Sequence, residues 1–174
     1  MRYTRREMGR LALAVPAAGL MPMSLAAQGK PDSTFGGVKV GVIAPYAFQG
    51  TARSAEAILA ACVTLGLSFI ELQNDPVEAY AGAPAAPPRP AAPAAPPAGG
   101  QRPQQTPEQL AAREQFLAAT RTWRAGAPME KFEALRRMYK DAGVSIYAFK
   151  LQLTDAMSEA ELEYPFRVAR ALGA

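Results

Sequence analysis

The segment Leu65-Gly-Leu-Ser-Phe-Ile-Glu-Leu72 joins the end of a helix to a strand within eight residues. Gly66 stands where a helix C-terminus needs a residue that tolerates a positive φ. The apolar run that follows it is short and predicts a buried strand. A second run of this kind, Val38-Lys-Val-Gly-Val-Ile43, lies upstream and is rich in β-branched residues. The two runs favour a β-α-β unit with a parallel strand pair.

The residues between these two runs have the spacing of a helix with one buried face. Ser54 can cap this helix. Its apolar positions follow the i, i+3, i+4, i+7, i+8 pattern: Ala55, Ile58, Leu59, Cys62 and Val63. Cys62 is the single cysteine of the chain, which excludes an intramolecular disulfide and predicts a packing role.

The junction of helix, glycine and strand recurs along the chain. Ala142-Gly143 precedes the strand-like run Val144-Ser-Ile-Tyr-Ala-Phe149, and Leu172-Gly173-Ala174 closes the sequence where a further strand is due. Three β/α units of a parallel α/β fold are therefore predicted.

Capping residues and periodicity predict three further helices. A capping box at Thr106–Gln109 opens a helix that runs to about Arg124, and another at Ser158–Glu161 opens the last helix. Pro165 lies inside the last helix, so we expect a kink or a later start. We expect the helix between them to bury four side chains, those of Phe132, Leu135, Met138 and Tyr139. We expect the last helix to bury one face made of Leu162, Phe166, Ala169 and Leu172.

Residues 1–27 have the three parts of a secretory signal. Arg5-Arg6 matches the twin-arginine pattern, an alanine-rich apolar run covers 11–23, and Ser24-Leu-Ala-Ala27 offers a small-residue exit. The run is too short for a transmembrane helix, which needs about 20 apolar residues. We expect export by the twin-arginine pathway to the periplasm or another extracytoplasmic space, with membrane contact only during export. An uncleaved amphipathic anchor or a chance arginine pair is the alternative.

Charge and proline content limit the remaining classes of function. The net charge of +4 comes largely from residues 1–26, which hold four arginines and one glutamate. The rest carries 15 basic and 14 acidic groups, so no basic patch argues for nucleic acid. Residues 79–105 hold eight of the sixteen prolines, and we expect a disordered Pro/Ala-rich loop there.

The two strand junctions resemble a known family. Val38–Ile43 followed by Leu65–Leu72 is similar to the opening of the sugar phosphate isomerase/epimerase family, the xylose-isomerase-like TIM barrels, whose second strand commonly reads Gly-φ-x-φ-φ-Glu. Ala142–Lys150, with 157–161 and 169–173 after it, resembles the third β/α unit of exported bacterial members. The resemblance covers about residues 36–174 without the Pro/Ala tract.

This resemblance implies a partial (β/α)8 TIM barrel over residues 28–174. It implies about three β/α units, with the Pro/Ala-rich insertion after the second strand. A complete barrel has eight units and about 250 residues. We therefore expect this chain to be the N-terminal part of such an enzyme.

The resemblance also implies a chemistry. The intact family isomerises or epimerises sugars or sugar phosphates with a divalent metal (Mn, Mg, Co or Zn). Its Glu, Asp, His and Glu ligands lie on strands of the second half of the barrel, and this chain has no histidine. We therefore assign no catalytic and no metal residue. We expect the chain to bind no metal and to be inactive by itself.

Candidate substrate-binding residues follow from the barrel rule. Carboxyl ends of the strands face a TIM-barrel active site, which nominates Glu71 and Gln73 after the second strand and Lys150 after the third. The same rule points to Tyr46 and Phe48 after the first. Glu71 matches the family's second-strand Glu and is a lone carboxylate in an apolar run, where an unpaired charge is costly. An ion pair with a nearby Arg or Lys is its alternative role.

Two further candidates have an ordinary alternative. Trp123 can stack on the apolar face of a sugar, but a lone Trp can equally pack at the rim of the barrel. Lys150 can meet a phosphate or carboxylate, or it can simply be solvated. Asp75 and Glu78 flank the Pro/Ala tract, and we expect both to be solvated.

Two other interpretations stay open. The chain can be a small exported α/β interaction module that completes its sheet by self-association or with a partner, since an uncovered strand edge invites pairing. The reading frame can also simply end early and leave a product that folds poorly.

Overall fold

The computed structural model describes residues 29–48, 53–88, 105–155 and 157–174. The predicted signal at 1–27 and most of the predicted Pro/Ala loop lie outside the described residues. The described strands are β1 Thr34–Phe35, β2 Val38–Lys39, β3 Gly41–Ala44, β4 Phe69–Gln73 and β5 Ser145–Lys150. The described helices are α1 Ala55–Thr64, α2 Asn74–Ala81, α3 Pro107–Ala125, α4 Met129–Asp141 and α5 Glu159–Leu172.

The central sheet has three parallel strands in the order β3-β4-β5. Each neighbour in the sheet is also the next of these strands along the chain, and helices connect them, as a β-α-β pattern predicts. The α/β class and the parallel pairing are confirmed. The described residues form an open three-stranded sheet, and this sheet does not close into a barrel.

The two sides of this sheet differ in burial. Val42, Ala44, Ile70 and Leu72 lie on one side, where helices α1, α2, α4 and α5 contribute most of the other core residues. Alternate positions of a strand point to opposite sides of a sheet. Ile43 and Glu71 therefore lie on the other side, which we call the open side because no described helix covers it.

The predicted strand Val38–Ile43 divides into two. Val38–Lys39 pairs with Thr34–Phe35 in an antiparallel hairpin, and only Gly41–Ala44 joins the central sheet. Gly36 and Gly37 make the hairpin turn with φ of 56° and 83°, values that favour glycine. The Gly-Gly dipeptide is the signal that the prediction missed.

The N-terminal segment before this hairpin closes the amino edge of the sheet. The Ser33 and Ser68 backbone amides each donate a 2.9 Å hydrogen bond to the other residue's hydroxyl oxygen. The Ser33 hydroxyl also donates to the Val40 carbonyl oxygen at 2.6 Å. These hydrogen bonds attach the hairpin to the segment before β4. They lie at the amino end of the sheet, and the candidate site lies at the opposite, carboxyl end.

Most predicted helix ends are confirmed. The Ser54 hydroxyl accepts a hydrogen bond from the Ala57 amide and begins α1. Both predicted capping boxes, at Thr106 and at Ser158, are present with both of their hydrogen bonds. Gly66 follows α1 with φ 71°, which confirms its predicted role after the helix.

Helix α2 was not predicted. It covers Asn74–Ala81 and ends at Gly82, whose φ is 92°. The expected loop over 79–105 therefore starts at Gly82, because Ala79–Ala81 are helical. Pro76 in the first turn and Gly82 after the last are ordinary helix signals, but the alanine- and proline-rich composition downstream obscured them.

Helix α5 buries a different face from the predicted one. Tyr164, Val168 and Leu172 are buried, whereas Leu162 and Phe166 are 37% and 62% exposed. The two candidate rows share Leu172, so periodicity alone does not separate them. Contact with α4 and β5 selects the row that contains Tyr164. The helix starts at Glu159 as the capping box predicts and continues through Pro165.

None of the described helices is both long enough and apolar enough to span a membrane.

Candidate functional site

The structure brings three of the four predicted site residues together. Glu71 and Gln73 lie at the carboxyl end of β4, and Lys150 ends β5. Gln73 and Lys150 are paired positions in the register, and Glu71 pairs with Ala148. Paired positions of parallel strands share a side of the sheet, so the three residues stand together on the open side.

A bulge in β5 puts Lys150 on this side. Ile70 pairs with Ile146, but the next residue, Glu71, pairs with Ala148, so Tyr147 is an extra residue on β5. Without the extra residue, Phe149 would align with Gln73 and Lys150 would turn towards the helices. With it, Phe149 packs against the core and Lys150 is exposed.

The polar groups of this edge lack partners among the described residues. The half-buried Glu71 carboxylate makes no ion pair or hydrogen bond there. The alternative role of Glu71, an ion pair with a nearby Arg or Lys, is therefore not found in the described part of the chain. The Gln73 Nε2 atom is shielded from solvent and also has no hydrogen-bond partner there. The Glu71 carboxylate is available to the hydroxyl groups of a ligand, whereas the Gln73 Nε2 atom reaches a ligand only if its side chain leaves this shielded position.

Tyr46 extends the same edge. It follows the carboxyl end of β3 and is 60% exposed. Phe48 belongs to the same turn, but its side chain is buried in the core. Of the two residues that the barrel rule nominated after the first strand, only Tyr46 offers a ring face to a ligand.

Trp123 lies in the helical layer and does not join this edge. Its ring meets Phe132 edge-on with 6.5 Å between centroids, and Tyr164 edge-on at 6.4 Å. Both partners are core residues on the helix side of the sheet. The structure therefore places Trp123 in its alternative role, packing.

Glu78 is buried, so the prediction that it is solvated is wrong. The Arg124 guanidinium donates two hydrogen bonds to its carboxylate, Nε to Oε1 at 2.8 Å and Nη2 to Oε2 at 3.0 Å. Asn74 donates a third at 3.1 Å. Asp75 is exposed, as predicted. No sequence pattern links Glu78 to Arg124, because 46 positions separate the two.

This ion pair changes the pKa values of Arg124 and of the neighbouring Tyr164. Burial opposes the charge of Arg124, but the hydrogen bonds and negative charge of Glu78 outweigh it and raise the pKa of Arg124. Burial also raises the pKa of Tyr164, and the charge of Glu78 raises it further. The Arg124 guanidinium stacks over the Tyr164 ring at 5.5 Å. The cluster is a structural anchor beside the site, with all charges compensated.

The residues at the edge do not fit a metal centre. Glu71 is the single carboxylate among the residues assigned to the site, and the chain has no histidine. No group of three or more His, Cys, Asp or Glu residues converges anywhere in the described ranges.

Compared with known proteins, the chain matches no family model, no curated protein and no solved structure. The resemblance to sugar phosphate isomerases therefore rests on the sequence motifs at the strand junctions.

Proposed function

We propose that the carboxyl edge of the three-stranded sheet binds a sugar or sugar phosphate, as part of an isomerase/epimerase-type partial barrel. The observation that carries the proposal is the grouping of Glu71, Gln73 and Lys150 on the open side of the sheet. In parallel α/β folds, ligands bind at the carboxyl ends of the strands.

The three side chains suit a polyol. The Glu71 carboxylate can accept hydrogen bonds from two adjacent hydroxyls. The Gln73 amide carries a donor and an acceptor, and its Nε2 donor reaches a hydroxyl once the side chain leaves its shielded position. The Lys150 ammonium supplies a positive charge for a phosphate or for a ring oxygen. Tyr46 adds an exposed ring against which the apolar face of a sugar can pack.

The topology supports the partial-barrel part of the proposal. Strands β3, β4 and β5 are parallel and adjacent in chain order, and the described helices cover one side only. In a TIM barrel the helices form the outer ring and the other side of the sheet faces inward. The open side would then be the inner side, with Glu71 directed towards the substrate.

Binding without turnover is expected from these residues. Moving a proton between adjacent carbons needs a base and an acid in reach of the substrate. The family that the chain resembles uses paired carboxylates and a metal for this step, whereas the residues assigned to the edge include a single carboxylate, Glu71, and the chain has no histidine. We therefore expect affinity for sugars and no measurable aldose–ketose exchange from this chain alone.

Titration calorimetry with a panel of aldoses, ketoses and their phosphates tests the proposal. Glu71→Gln should weaken binding of every bound sugar at least tenfold, and Lys150→Met should weaken the phosphorylated sugars more than the neutral ones. Glu114→Gln, which neutralises an exposed carboxylate on α3 away from the candidate site, is the matched control. Absence of binding across the panel, or equal loss with the control, would overturn the proposal.

The exposed apolar residues of the sheet favour a second candidate, self-association. Strands β3 and β5 are each paired on one side only among the described elements. Ile43 on β3 and Tyr147 on β5 are 41% and 50% exposed. A second copy or a partner that completes this sheet would cover both.

Sedimentation velocity on residues 28–174, together with a thermal melt, tests this candidate. A cooperative melt and a dimer that Tyr147→Lys dissociates would support it. A monomer at all accessible concentrations would rule it out and leave sugar binding as the proposal.

A further inference from the structure

A basic groove lies at the opposite end of the sheet from the candidate site. It has a volume of about 360 Å³ and lies between the C-terminal halves of α4 and α5. The groove is lined by Glu133, Arg136, Arg137, Lys140, Arg170 and Ala171. Because α4 leads into the amino end of β5, these residues belong to the amino edge of the sheet.

The charges in this groove are unbalanced. Four cations face a single carboxylate, Glu133, and that carboxylate pairs with Arg137 at 3.8 Å. Arg136, Lys140 and Arg170 make no ion pair with any described carboxylate. Like charges held close together repel, and the repulsion falls when an anion lies between them.

Favourable interactions with the helix dipoles explain the positions of two of these cations and leave Arg136 unexplained. Lys140 and Arg170 lie in the last turns of their helices, where a cation is favourable. Arg136 lies one turn earlier, and its guanidinium packs against the end of the other helix. A Cβ atom built on Gly173 would lie 2.5 Å from the Arg136 Cζ atom. Packing of α4 against the end of α5 therefore places Arg136 in the same groove as Lys140 and Arg170.

We propose that this groove binds a small phosphate-bearing anion, such as pyrophosphate or a phosphomonoester. Two guanidinium forks and one ammonium group from two helices match the several oxygens of a phosphate group. None of the residues that line the groove is aromatic, so a base would find no ring to stack on. The ligand is thus recognised by its phosphate charge. This site is separate from the sugar-binding edge and does not depend on it.

Pyrophosphate is the probe for the test, with sodium sulfate at equal ionic strength as the reference. Pyrophosphate should raise the melting temperature in a concentration-dependent, saturable manner, as expected for a ligand that binds only the folded state. Sulfate should raise it less. In amide NMR spectra of the unchanged protein, pyrophosphate should shift signals of 136–140 and 170–173 selectively.

Two triple variants with the same loss of charge separate the groove from general electrostatics. Arg136→Gln/Lys140→Gln/Arg170→Gln should weaken pyrophosphate binding at least tenfold. Arg53→Gln/Arg113→Gln/Lys131→Gln removes three exposed cations elsewhere and should leave it within twofold. Lys150→Met tests for pyrophosphate at the sugar-binding edge, and a loss as large as that of the groove variant would assign the binding to that edge and overturn the proposal.

Several results would overturn the proposal. These are amide shifts spread over the surface, equal effects of sulfate and pyrophosphate, or equal losses in the two triple variants. The NMR measurement on the unchanged protein decides the question even if the groove variant fails to fold.

Discussion

The Arg124 guanidinium holds the Glu78 carboxylate in a two-point ion pair, with N–O distances of 2.8 and 3.0 Å. Glu78 lies on α2, before the Pro/Ala tract, and Arg124 lies in the last turn of α3, after it. The pair therefore joins the two helices that flank the insertion to one another. Its side chains are 7% and 16% exposed, which makes it the most buried ion pair among the described residues.

Glu78→Gln should destabilise the fold strongly, because it leaves the Arg124 charge buried without its anion. Breaking a buried pair from one side costs about 3 kcal/mol of unfolding free energy. Urea unfolding followed by circular dichroism measures it. The matched control is Arg137→Met in the exposed pair with Glu133, which should change stability by less than about 0.5 kcal/mol.

The double variant Glu78→Met/Arg124→Met sharpens this test. Replacing both charges by apolar side chains removes the uncompensated charge, so the double variant should be more stable than Glu78→Gln. A double variant that is less stable than Glu78→Gln would contradict this explanation.

Tyr139→Phe should lower the free energy of unfolding by about 1–2 kcal/mol. The Tyr139 hydroxyl donates a 2.7 Å hydrogen bond to the Ala55 carbonyl oxygen in the core, and the substitution removes this buried hydrogen bond. Tyr147→Phe serves as control, since the Tyr147 side chain is half exposed on the open side of the sheet. Equal losses from the two substitutions would show that the hydrogen bond does not matter.

Ser158→Ala should cost about 1 kcal/mol of stability, the usual effect of losing an N-cap. It should also raise the pKa of Glu161, which hydrogen bonds from the Ser158 amide and hydroxyl now lower. A carboxyl with a lowered pKa stabilises the fold above its unfolded pKa, and this contribution is lost as the pH falls. Carbon-13 NMR titration of the carboxyl group checks the shift. Because the Ser158 amide remains in the variant, an unchanged Glu161 pKa would show that the hydroxyl does not contribute to the lowering.

Cys62→Ala should flatten the alkaline loss of stability. Burial raises the pKa of the Cys62 thiol from 9.0 to about 11, so the folded state keeps a proton that the unfolded state loses between these values. The contribution of the thiol to stability is therefore full below pH 9 and is lost as the pH rises towards 11. Urea unfolding at several pH values from 8 to 11 measures the slope in both proteins. Tyr164 is common to both proteins and cancels in the comparison, whereas burial and, to a smaller extent, the charge of Cys62 raise the pKa of Tyr139. Equal slopes in the two proteins would contradict the prediction.

The candidate site was only partly predictable. Glu71 and Gln73 follow from the alternation of β4 and from the rule that strand ends carry the site. Trp123 does not belong with them, because its ring contacts Phe132 and Tyr164. These contacts arise only when three helices pack together. The basic groove was equally hidden, because Arg136 and Arg170 look like ordinary surface residues when each helix is considered alone.

The sequence by itself determined most of the helix ends and the alternation of β4. Capping at Thr106 and Ser158 and the glycine at 66 depend on hydrogen bonds and φ values within a few residues, so local sequence suffices. Only the tertiary structure decided the side of Lys150 and the burial of Glu78. The first depends on a bulge that appears when β5 pairs with β4, and the second on an arginine 46 residues away. Such contacts depend on which elements pack together, and no local pattern encodes that choice.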